Sequence, residues 1–172
     1  MKFRAKSQDT RNFIKLKAGE SIQGVFQGDP YEFKTHWLQN EQRSVLCDNP
    51  ALCAVCKLGD KPKFRFRVNF VVKEGDAYAA KVLEQGWTSY QALENLQESG
   101  YNLEKQIIVI TRQGAGLNTS YSIIPSPKGL INGDAEVKIK EVKLNDLGHV
   151  TEAEKEPAEV VPPAHTDEDL PF

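Results

Sequence analysis

Residues 63–72 read KFRFRVNFVV, and the period of that run decides the fold. Phe64, Phe66, Val68 and Phe70 alternate with Lys63, Arg65, Arg67 and Asn69. That is the two-residue repeat of a strand with one apolar and one cationic face. Glu74–Gly75–Asp76 supplies a hairpin turn into AYAAKVLEQ (77–85), the return strand. Downstream, Thr88 is placed to cap a helix ending near Glu98, with Tyr90, Leu93 and Leu96 at helical spacing and Gly100 as its stop. QIIVITRQG (106–114) reads as a buried strand, GAGLN (114–118) as a turn and TSYSIIP (119–125) as the next strand. Upstream, ESIQGVFQG (20–28) suggests a strand bulged at Gly24, Asp29–Pro30 a turn, and YEFKTHWL (31–38) a second alternating strand. Six or seven short strands around a single inserted helix predict a mainly β protein, an OB-fold-like small barrel, closed or partly open. A β-sandwich is the competing architecture.

The barrel is expected over residues 1–128. Within it, residues 39–62 are polar, hold all three cysteines and show neither strand nor helix period, so they require another source of order. Residues 129–150 are weakly patterned; EVKIKEVKL (136–144) alternates and reads as an edge strand or a linker. Residues 151–172, TEAEKEPAEVVPPAHTDEDLPF, carry seven acids, one base and four prolines. Such a segment buries too little apolar surface to offset its ordering entropy and is expected to be a disordered acidic tail.

The formal net charge of −2 over 172 residues conceals a division. The tail carries −6, while residues 1–150 hold 21 bases against 17 acids, or +4. A basic body with an acidic tail is the pattern of an interaction protein. No apolar run approaches the roughly 18 residues that a membrane span needs. The opening MKFRAKSQDTRNF has no apolar core of a secretory signal, so a cytoplasmic protein is expected. Three cysteines, an odd count, argue against a disulfide framework.

His36, Cys47, Cys53 and Cys56 form H-x10-C-x5-C-x2-C. Thiolate and imidazole are the donors that tetrahedral Zn2+ prefers, and a full Cys3His set is a structural site with no position left for a reactive water. Metal binding would also supply the missing order of residues 39–62. Other readings stay open: cysteines that share no ion, or an ordinary strand histidine with Asp48 or water as the fourth ligand. A thioredoxin-type redox pair is disfavoured because the C-x2-C does not follow a core strand.

The cationic strand face points to a second kind of ligand. Lys63, Arg65 and Arg67, joined by Arg112 at the end of the QIIVIT strand, could neutralise phosphates. Tyr31, Trp37 and Tyr121 are the rings expected to stack on unpaired bases, with Trp87 and Tyr90 as secondary candidates. Arg11, Lys15 and Lys17 add charge near the start, while Phe64, Phe66 and Phe70 suit core packing better than stacking. No phosphate loop, carboxylate pair or nucleophile motif is present, so an enzyme is not expected.

These residues resemble phage single-stranded DNA-binding proteins of the T-even helix-destabilising type. That family joins an OB fold to a zinc subdomain whose ligands run His, Cys, Cys, Cys and end in C-x2-C. The matching positions are His36, Cys47, Cys53 and Cys56, at shorter spacings than in the T-even protein. RNFIKLKAGESIQGVFQGDPYEF, THW and GLNTSYSIIP also look like segments of small phage proteins of this kind. MKFRAKSQDTR matches the family's basic N-terminal segment only in being short and basic. DEDLPF, covering Asp167, Glu168, Asp169, Leu170, Pro171 and Phe172, is similar to the acidic tip of bacterial single-stranded DNA-binding proteins. The resemblance implies sequence-independent binding of single-stranded DNA in replication, recombination or repair. It also implies a tail that recruits polymerase, helicase, primase or nuclease partners and competes with DNA for the basic groove. The alternative readings are a zinc-stabilised protein-interaction or regulatory module and an RNA-binding protein.

Overall fold

The computed structural model describes residues 12–148 and 154–155. The expected disordered tail, its tip Asp167–Phe172 and the basic N-terminal segment lie outside the described residues, apart from Glu154 and Lys155. The fold is mainly β and OB-like. Strands β1 (Ser21–Leu38), β2 (Arg43–Leu46), β3 (Lys63–Glu74), β4 (Ala77–Gln85), β5 (Gln106–Gln113) and β6 (Ser120–Leu130) form one antiparallel sheet in the order β4-β3-β1-β5-β6, with β2 added to β1. The two ends of that order do not pair among the described residues, so the small barrel is not closed. Helix α1 (Ala54–Lys57) is a single turn, α2 (Trp87–Glu98) is the inserted helix, and α3 (Gly133–Lys140) follows the last strand. No helix among the described residues is long and apolar enough to cross a membrane.

The chain divides into two compact units. One takes the described residues up to Glu32 and from Arg65 to 148; the other takes Phe33–Phe64 with residues 154–155.

In the first unit, β3 and β4 pair from Phe66↔Gln85 to Glu74↔Ala77, the hairpin that the sequence predicts. Phe66, Val68, Phe70 and Val72 are buried, and Phe26 packs on Phe70 with ring centroids 4.8 Å apart. The opposite face departs from expectation: Arg67 and Asn69 are buried as well. The cover is the stretch after α3. Asn145 donates its backbone N–H to Asn69 Oδ1 at 2.9 Å, and its carbonyl accepts from Asn69 Nδ2 at 3.2 Å.

Residues 129–150 also depart from the edge strand or linker expected there. Asn132 accepts the Ala135 N–H at 2.8 Å, and Asp134 and Glu136 sit in the first turn with Lys138 and Lys140 in the last. Cap and charge order both favour a helix. Ala135 and Ile139, one turn apart, enter a cluster with Val25 and Val71, so the folded body extends beyond residue 128.

The first strand is a single 18-residue element rather than two strands parted by a turn. Asp29 and Pro30 fall between Ser21–Gly24, paired with β5, and Thr35–Leu38, paired with β2. Pairing with β5 keeps a regular register from Ser21↔Thr111 to Gly24↔Ile108 and ends there, and two residues on the Phe26 N–H bonds to Leu103 O at 3.1 Å. Glycine is needed at 24 because a Cβ would lie 2.2 Å from the Val71 carbonyl oxygen.

Candidate functional site

The second unit is built around the four sequence-predicted ligands. His36 lies on β1 opposite Val45 of β2 and is 1% exposed. Cys47 extends that ladder, its N–H bonded to Lys34 O at 2.8 Å. The chain then folds at Asn49, whose side chain accepts the Ala51 N–H at 3.0 Å and whose carbonyl accepts the Cys53 N–H at 2.9 Å. Cys53 caps α1 and Cys56 lies within it, so the C-x2-C pair shares one helical turn. Leu38, Val45 and Val55 pack around the thiols.

One donor atom from each of His36, Cys47, Cys53 and Cys56 lies within 4.8 Å of every other. Cys47 Sγ and Cys56 Sγ are 3.7 Å apart, and His36 Nε2 is 3.2 Å from Cys56 Sγ. No disulfide joins these three cysteines. A tetrahedral ion with metal–sulfur bonds of about 2.3 Å sets sulfur–sulfur edges of about 3.8 Å, which the Cys47–Cys56 separation meets. The donor set fits a divalent metal such as zinc.

Burial, reinforced by the neighbouring sulfurs of Cys56 and Cys53, pushes the Cys47 thiol up to about 12. A nest of thiols is poorly able to ionise unless a cation is present to hold the thiolates.

A fifth residue, unassigned from the sequence, completes the arrangement. Asp60 Oδ2 lies 2.6 Å from His36 Nδ1. With the carboxylate accepting from Nδ1–H, the Nε2 lone pair points toward the thiols, as carboxylate-held histidines do at metal sites. Gly59, at φ +90, closes α1 through its N–H to Cys56 O and turns the chain so that Asp60 reaches the ring. The available signal was an aspartate four residues after the last cysteine, past a glycine.

The expected nucleic-acid residues separate. Arg65 and Tyr121 come together in the first unit, lining a cleft of about 530 Å³ with Ile14, Glu84, Trp87 and Thr119. Lys63 and Trp37 are exposed in the second unit, and Tyr31, also exposed, does not line the cleft.

Arg67 is corrected outright. It is 2% exposed, its Nε donates to Glu84 Oε2 at 2.8 Å, its Nη1 to Leu147 O at 3.4 Å, and its guanidinium lies 5.7 Å from the centre of the Phe13 ring. A phosphate has no access to it. Arg112 likewise turns inward: Nη1 donates to Leu16 O at 2.7 Å and Nη2 reaches Thr119 Oγ1 at 3.5 Å. It ties two segments together and does not line the cleft.

Trp87, only a secondary candidate in the sequence, is half exposed and lines the cleft at the first residue of α2. It stacks on Tyr90 at 5.7 Å with planes 17° apart, and Tyr90 meets buried Phe66 edge-on at 5.3 Å. The Tyr90 hydroxyl donates to the Glu32 carboxylate. That bond, helped by burial and by the charges of Glu32 and Glu94, pushes Tyr90 up to about 12.

Comparison with family models, with curated proteins and with solved structures returns no match.

Proposed function

We propose that the chain is a non-enzymatic protein that binds single-stranded DNA without reading sequence, in the phage manner that its sequence resembles. In this reading it acts in the host cytoplasm, in replication, recombination or repair. The observation that carries the proposal is the cleft lined by Arg65, whose guanidinium also reaches Glu84 at 3.4 Å, and by two aromatic rings, Trp87 and Tyr121, on an OB-like sheet. A cation for the phosphate and rings for the bases are the two parts of a sequence-tolerant single-strand site. Zn2+ held by His36, Cys47, Cys53 and Cys56 is a structural ion in this reading, with the four-ligand set leaving no position for a reactive water. Residues 151–172 serve as the acidic segment that recruits replication or recombination proteins and competes with the bound strand.

Fluorescence anisotropy with an oligo-dT, its duplex and the matching RNA, each over a salt series, tests the proposal. Affinity for oligo-dT is expected to exceed that for duplex and to fall by about 0.7 in log K per log unit of salt for each phosphate contacted. Salt-independent affinity, or no affinity for oligo-dT, would overturn it. Tighter binding to RNA than to DNA would make it an RNA-binding protein.

A further inference from the structure

We propose that Trp87 is the platform on which one unpaired base stacks and that Tyr90 is the residue that positions it, an assignment that rests on the single-strand reading of the cleft. The two rings are three residues apart on α2 and so share a helix face. They lie nearly parallel, and the chain of contacts continues from Tyr90 into the core through Phe66, whose side chain is fully buried. Tyr90 is held at both ends: its ring edge by Phe66 and its hydroxyl by Glu32 on β1. Trp87 therefore rests on a supported ring while it stays half exposed and lines the cleft.

A tryptophan ordered during folding does not lose rotamer freedom again when a base lands on it, and this preorganisation raises affinity without a new contact. Tyr121 reaches the same cleft from β6, where it pairs with Arg112. No comparable contact among the described residues ties Tyr121 to the core rings. Among the rings of the cleft, the Phe66–Tyr90–Trp87 series distinguishes Trp87 as the rigid one.

The chain has two tryptophans, so a Trp37→Phe parent reports Trp87 alone. Oligo-dT is expected to quench its fluorescence. Trp87→Ala is expected to weaken binding roughly tenfold, the scale of one lost base stack. Tyr90→Leu should weaken binding and reduce the quench at saturation. Tyr90→Phe, which keeps the ring and loses the bond to Glu32, should cost about threefold. The deciding measurement is the double-mutant cycle: Tyr90→Leu should cost nothing further in a Trp87→Ala chain, since a residue that acts through Trp87 has no effect without it. Arg65→Ala should lower affinity and leave the quench at saturation intact. An undiminished Tyr90→Leu cost in the Trp87→Ala chain would overturn the positioning role, as would parental binding and full quench in both Tyr90 variants. Parental affinity in Trp87→Ala would overturn the platform while leaving the single-strand reading in place. No oligo-dT binding by the parent would overturn that reading, and this assignment with it.

Discussion

The two units of this chain reach order by different chemistry. The first buries phenylalanine, valine and isoleucine side chains along β1, β3, β4 and β5, with Phe66, Phe70, Ile108 and Ile110 fully shielded. The second gathers four polar donors, His36, Cys47, Cys53 and Cys56, in one cluster with Leu38, Val45 and Val55 packed against the thiols. The difference teaches where stability is local: a sheet can lose one contact and remain a sheet, whereas a unit that draws its order from a metal such as zinc, as proposed above, depends on each of four ligands. The largest expected effect follows. Cys56→Ser, or removal of the metal with a chelator, should reduce bound zinc from one ion per chain to none. Backbone amides within residues 33–64 should then lose hydrogen-exchange protection, while those of β4 and β5 keep theirs. Structural zinc in small domains contributes about 10–16 kcal/mol of apparent binding energy. Retained protection at Val45 and Cys47 without metal would break the contrast and credit the apolar cluster.

What could be seen in the sequence divides along the same line. The β3–β4 hairpin and α2 were legible because their signals are local: a two-residue alternation, a glycine turn, a helical repeat ended by Gly100. The four ligands were legible because thiol and imidazole are rare and their spacing is short. What stayed hidden depends on distant partners. Nothing near Arg67 tells that Leu147, 80 residues on, will cover it. Asp60 meets His36 across 24 residues and looked like any loop acid. In α3 two local signals conflicted: the alternation of EVKIKEVKL, and the Asn132 cap with its favourable charge order. The cap and the burial of Ala135 and Ile139 one turn apart decided for the helix.

The next expected effect compares two arginines two residues apart on β3. Both reach Glu84, Arg67 at 2.8 Å and Arg65 at 3.4 Å, but Arg67 is 2% exposed and Arg65 36%. Arg67→Ala removes the buried member of a pair and uncovers space beneath Leu147. It should destabilise the first unit by about 3 kcal/mol, read as a lower midpoint in denaturant titration. Arg65→Ala removes a solvent-screened partner, should cost less than about 1 kcal/mol of stability, and should lower the salt slope of oligo-dT binding by roughly 0.7. If Arg67→Ala weakened DNA binding at unchanged stability, the sequence-level view of a continuous cationic face would return.

The smallest effect probes the metal unit from outside its ligand set. Asp60 is outside the four-donor cluster; with the His36 proton on Nδ1 it accepts that N–H and so fixes which ring nitrogen faces the thiols. Asp60→Asn keeps an oxygen of similar size but presents a neutral acceptor, and its amide nitrogen can also turn toward the ring. The hydrogen bond loses its charge assistance, the imidazole becomes a weaker donor, and metal affinity should fall about 10- to 100-fold, the usual scale for such a partner. Competition with a chromophoric chelator measures that loss directly. Because the four donor atoms remain, a saturated Asp60→Asn chain should regain the hydrogen-exchange protection that Cys56→Ser cannot. Separating affinity from structure in this way distinguishes a residue that aims a ligand from one that is a ligand. Equal zinc affinity in Asp60→Asn and the parent would reduce the 2.6 Å contact to a hydrogen bond with no bearing on the site.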